Sequence, residues 1–120
     1  MESILTSIKQ MLGIAAEYTH FDLQIIAHIN TVFAILTQIG VGPKEGFSIS
    51  DEYSVWSDFI GDDPRLGLVK SYMGKKVQFL FDPPTNGAVN DSTKRVLDEL
   101  EWRISVAVDP GNKNTEGVSQ

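Results

Sequence analysis

Two consecutive prolines, Pro83 and Pro84, stand between two stretches of helical periodicity. Proline has no N–H to donate, its ring clashes with the preceding helical turn, and it drives the residue before it towards extended backbone. No helix runs through Asp82-Pro83-Pro84. Upstream, from about Arg65, the residues Leu66, Val69, Met73, Val77 and Leu80 make one apolar stripe, and downstream Val96, Leu97, Leu100, Ile104 and Val108 make another that closes at Asp109-Pro110. The spacing therefore predicts a helix, a hard stop and a second helix folded back on the first. The outer side of the second carries Lys94 with Asp98, Arg95 with Glu99 and Glu99 with Arg103, i, i+4 pairs that each add a few tenths of a kcal/mol. Gly74 lies inside the first stripe at a cost of roughly 1 kcal/mol against alanine. Val77, Phe79 and Phe81, like Ile104, Val106 and Val108, also alternate, which is a strand signal and would allow a hairpin. Helix is preferred, because each segment continues an upstream helical stripe with no turn signal between.

The rest of the chain divides by its punctuation. Ile4, Leu5, Ile8, Met11 and Leu12 predict a first helix over 3–12, capped by Ser3 and ended by Gly13. Phe21 to Ile39 is the longest apolar element. Ile25, Ile26, Ile29, Val32, Phe33, Leu36 and Ile39 fall on one face, and Leu23, Ala34 and Ile35 widen it. Such a helix is the expected spine of the domain, or is buried on a second subunit. Asp22 is placed to cap it or to complement its dipole. The glycines and proline of 40–46 break it and read as a connector. Phe47-Ser48-Ile49 reads as a short extended piece. A short helix over Glu52 to Ile60, capped by Ser50 or Asp51, buries Val55, Trp56, Phe59 and Ile60. The expected architecture is all-α: a bundle of four to five helices over residues 1–110, with a long central helix and short loops. A flexible arm over 111–120 follows, with one apolar side chain, Val118.

Composition bounds the function. A chain of 120 residues is one domain by size, and an apolar fraction of 42% supports a modest core. With no cysteine, neither a disulfide scaffold nor a thiolate metal site is available. No apolar run reaches the roughly 18 residues that span a bilayer, and Met1-Glu2-Ser3-Ile4 lacks the basic start of a signal peptide. A net charge of −6 opposes tight binding to a phosphate backbone.

No reaction centre emerges. His20 and His28 are eight apart, whereas a helical zinc site wants i, i+4. The serines sit in no Gly-x-Ser-x-Gly elbow, and the 40–46 loop lacks the Gly-Lys-Ser/Thr ending of a phosphate loop. Asp51, Glu52, Asp58, Asp62 and Asp63 lack the alternation of a calcium loop and read as a solvated acidic face. No cofactor is expected. Trp56 and Trp102 are read as anchors of core or interface. Core packing is the default for Trp102, and contact of Trp102-Arg103 with another chain is the alternative. The acidic stretch gives way to Arg65, Lys70, Lys75 and Lys76, so acidic and basic faces could set the register of head-to-tail subunits.

Glu17-Tyr18-Thr19-His20-Phe21-Asp22, His28-Ile29-Asn30-Thr31-Val32-Phe33, Gln38-Ile39-Gly40-Val41-Gly42-Pro43 and Trp56-Ser57-Asp58-Phe59-Ile60 occur in that order. Val69-Lys70-Ser71-Tyr72, Phe81-Asp82-Pro83-Pro84-Thr85, Glu99-Leu100-Glu101-Trp102-Arg103 and Val106 to Pro110 follow. Together they resemble the head-tail connector (adaptor) family of long-tailed phages over nearly the whole chain. The resemblance implies a small helical protein without catalytic activity, in the virion neck. About twelve copies would form a ring below the portal protein, extend the DNA channel and dock a stopper or other tail-proximal neck protein. It implicates the C-terminal segment in portal contact: Trp102, Arg103, Asp109, Pro110, Asn112 and Lys113. The apolar face with Ile29 and Phe33, and the charges Asp62, Asp63, Arg65 and Lys70, are the expected subunit interface. The competing readings are a tail-completion ring protein and a small acidic enzyme or ligand-binding regulatory module using the 51–63 face.

Overall fold

The computed structural model of the chain describes residues 2–108. It contains five helices: α1 (Ile4–Met11), α2 (Asp22–Gln38), α3 (Trp56–Ile60), α4 (Leu66–Phe81) and α5 (Gly87–Val108). Among the described residues the β pairing is one isolated bridge, Ser3 with Val55. The all-α expectation holds, and both ambiguous segments, 77–81 and 104–108, are helical.

Each boundary has a local cause. Ser3 Oγ accepts the Thr6 N–H at 3.2 Å and caps α1, and Gly13 turns the chain away with φ 79°. At the other end of the fold, the Asp82 N–H makes the last bond of α4, to Gln78 O at 2.8 Å, before the two prolines. Asn86 then restarts the chain: its Oδ1 accepts the N–H groups of Ala88 and Val89 at 2.9 and 3.1 Å. The apolar stripe marks only the second half of α5. Its first nine residues, 87–95, are mostly exposed and carry little periodicity.

α4 packs extensively on α1, α2 and α5. It shares the spine role expected of α2. Ile25, Ile29, Val32, Phe33 and Leu36 of α2 meet Val69, Tyr72, Met73 and Val77 of α4 in one core, which Ile4, Leu5 and Ile8 of α1 and Leu97 and Ile104 of α5 complete. The residues that widen the α2 stripe stay outside: Leu23 and Ala34 are exposed and Ile35 is half-buried. Gly74 lets α1 approach α4, since a Cβ there would lie 2.3 Å from Met11 Sδ.

The 40–60 connector is irregular but fixed. Phe33, Phe47 and Phe59 form a ring cluster with centroids 4.7–5.4 Å apart. Gly42, with φ 84°, passes so close that a Cβ would lie 2.3 Å from the Phe59 ring. The residues of 47–49 form no strand. Instead Asn30 of α2 takes the role of a paired strand: its Nδ2 donates to Ile49 O at 3.0 Å and its Oδ1 accepts the Ile49 N–H at 2.8 Å. α3 begins at Trp56, four residues later than expected. Ser54 O is taken by the Ile4 N–H at 3.0 Å, which holds this stretch extended, and Asp58 accepts the Val55 N–H at 3.0 Å to start the helix there.

Candidate functional site

The C-terminal half of α5 is anchored on one side and open on the other. Leu97 and Ile104, seven residues apart, point into the core. Tyr72 of α4, fully buried, donates its phenol hydrogen to Glu101 Oε2 at 2.7 Å and ties the two helices together. Burial, and then the bond to Glu101, push the phenol well above the usual tyrosine range, so it stays a donor. Trp102 lies two residues before Ile104, about 200° around the helix, and is 63% exposed. Core packing, the default reading, is thus incorrect for Trp102. The stripe itself held the signal, because Leu97, Leu100 and Ile104 leave position 102 on the outer face. Arg103 beside it is exposed and pairs with Glu99 at 2.8 Å. Arg95 bonds instead to Ser92 Oγ at 3.3 Å. Asp109, Pro110, Asn112 and Lys113, and the arm expected over 111–120, lie outside the described residues.

Of the six residues expected at a subunit interface, two are fully buried and four keep surface of their own. Ile29 and Phe33 are fully buried core side chains and offer a neighbour no surface. Arg65 is bound by Asp63, whose Oδ1 accepts its backbone N–H at 2.8 Å and its Nε–H at 2.7 Å, while Oδ2 meets the guanidinium Nη2. That hydrogen-bonded carboxylate raises the Arg65 pKa above its ordinary value against partial burial. Lys70 pairs with Glu2 and lies 5.6 Å from the centre of the Trp56 ring. The Lys70–Glu2 pair links α4 to the start of α1, and the Arg65–Asp63 pair closes the turn before α4. Asp62 remains exposed. Trp56 is buried, with Nε1–H donating to Ser7 Oγ at 2.9 Å.

Two side chains with large structural roles carry no sequence signal. Lys9 of α1 is 2% exposed. Its ammonium donates to Ala16 O at 2.9 Å and Tyr18 O at 2.7 Å, and lies 2.8 Å from Asp22 Oδ1. Asp22 sits in the first turn of α2, as the dipole argument requires, and its carboxylate lies against the buried lysine. The second is Asn30. Its role requires knowing that the backbone of Ile49 passes in front of it.

Outside the core, a groove of about 320 Å³ runs between the end of α4 and the exposed half of α5. Phe79, Pro84, Val96 and Leu97 supply its apolar lining, and Lys75, Gln78, Asp82, Ser92 and Thr93 its polar edge. Among the described residues no group of three or more His, Asp or Glu side chains is placed to hold a metal ion. No described helix is long and apolar enough to cross a membrane.

A protein of this architecture, with exposed aromatic and charged side chains on its last helix, is defined by its surfaces. Comparison of the sequence with known families matches the phage connector proteins over residues 4–111. The chain belongs to that family of bacteriophage proteins, the head–tail connectors, and the resemblance read from its ordered segments is correct. No curated protein and no solved structure gave a match.

Proposed function

We propose that this chain is a structural neck protein of a long-tailed phage. About twelve copies form a ring beneath the portal protein. The ring extends the DNA channel, and a stopper or other tail-proximal protein docks on its far side. It performs no catalysis and needs no cofactor. Portal contact is assigned to the end of α5, with Trp102, Arg103 and the segment 109–113. The observation that carries this is the exposure of Trp102, 63%, six residues before α5 ends at Val108. Tryptophan and arginine recur at interface hot spots, and a large ring left in water on an otherwise polar face gains most when a partner covers it.

The charge suits a conduit. A net charge of −6 keeps the wall from binding a passing phosphate backbone, whereas a basic wall would hold DNA with salt-dependent affinity. The test is to mix the full chain with the portal protein of the same phage. A complex is expected, and either Trp102→Ala or deletion of residues 109–120 weakens it by about tenfold or more. Unchanged binding by both variants removes this end of α5 from the portal contact.

A further inference from the structure

We propose that Met11 is an oxidation site, and that its sulfoxide releases the end of α1 from α4. The proposal concerns the fold of a single copy and stands apart from the ring. Met11 is 46% exposed, whereas Met73 is wholly buried in the core. A peroxide in solvent reaches the first thioether and is shut out from the second. The chain has no cysteine to take up the oxidant first.

Met11 is the last residue of α1, and its side chain lies across Gly74 of α4. A Cβ on Gly74 would overlap Met11 Sδ and lie 3.5 and 3.6 Å from its Cγ and Cβ. The sulfur therefore fills the notch that the missing side chain leaves. Gly74 is buried in the middle of α4, so its N–H and C=O are taken by helical hydrogen bonds. The notch suits a thioether and has nothing to offer a polar atom.

Oxidation by hydrogen peroxide breaks its O–O bond. One oxygen forms an S–O bond at Met11 Sδ, and the other leaves as water. The sulfur gives up the two electrons that the peroxide gains, and the apolar thioether becomes a polar sulfoxide. An oxygen kept in the notch would be buried without a donor, which is costly. A sulfur turned out to water leaves the notch empty, which also costs packing. Either way the contact is lost. The next bonds in line are Gly13 N–H to Gln10 O at 3.1 Å and Ile14 N–H to Lys9 O at 2.8 Å, which close the end of α1.

The test treats the full-length protein with hydrogen peroxide and weighs its Met11 and Met73 peptides. Met11 is expected to gain one oxygen well before Met73. The melting temperature is expected to fall by about 5 °C, the scale on which one lost packing contact registers in a domain of this size. Amide exchange at Gly13 and Ile14 is expected to quicken while exchange at Leu36 stays as it was. A methionine sulfoxide reductase should reverse these changes. Met11→Leu, a volume-conserving swap, should keep its own melting temperature under the same treatment, which assigns the drop to Met11. Oxidation of Met73 as fast as Met11 overturns the proposal. So does a Met11 sulfoxide that leaves melting and exchange unchanged, or an equal drop in Met11→Leu.

Discussion

The connector of residues 40–60 and the first half of α5 invert the usual association of regular structure with burial. The connector is irregular until α3 begins, yet Val41 and Ile49 within that stretch are buried and Asn30 clamps its backbone. The first half of α5 is a regular helix with a defined cap, yet residues 87–95 are almost all in water. In the first region tertiary contacts fix a backbone that has no repeating hydrogen bonds. In the second, local hydrogen bonds hold a helix that the core hardly touches. The fold's rigidity is therefore set by which side chains reach across it, and its regular elements do not map that rigidity.

Breaking the clamps gives the largest effects. Lys9→Met leaves Asp22 with no cation and frees the carbonyls of Ala16 and Tyr18, so stability is expected to fall by about 3–5 kcal/mol in chemical denaturation. A loss below about 1 kcal/mol would mean the 13–21 turn is held by its aromatic contacts instead. Asn30→Ala removes both bonds to Ile49 and leaves a partly buried backbone pair unsatisfied, an expected loss of about 1–3 kcal/mol. It should also accelerate amide exchange at Ile49 more than at residues 90–95.

The joint between α4 and α5 sharpens the comparison through pH. The folded Tyr72 phenol keeps its proton beyond the usual value of about 10. Folding therefore binds that proton more tightly than the unfolded chain does. The resulting stability is present in full below about pH 10 and is lost as pH rises above it. The melting temperature of the unmodified protein should drop through this alkaline range, and Tyr72→Phe should show a shallower drop. The smallest effect is expected at the exposed half of α5, where Val89→Ser changes stability by less than about 0.5 kcal/mol. A loss above about 1 kcal/mol there would show that this half is packed after all.

The same contrast explains what the sequence reveals. Periodicity reports a helix that buries a face, so α1, α2, α4 and the second half of α5 are legible, and the Pro83-Pro84 stop gives the α4–α5 hairpin. The first half of α5 buries no face and leaves no stripe, and only Asn86 marks its start. α3 begins late because Ser54 and Val55 are held by Ile4 and Ser3, some fifty residues away in the chain. Long-range partners of this sort have no local signature. The site divides in the same way. The outward placement of Trp102 follows from its offset from Ile104. The capture of Arg65 by Asp63 and of Lys70 by Glu2 shows that charges read as free surface were already paired. Lys9 reads as an ordinary surface lysine on a short helix, and only the folded 13–21 turn reveals why it is buried.

Imaging the neck of the phage particle by electron cryomicroscopy tests the central claim most directly. The account predicts a ring of this chain directly beneath the portal, with the Trp102 end of α5 turned towards it. A neck that contains no copy of this protein, or copies bound elsewhere on the particle, would contradict it.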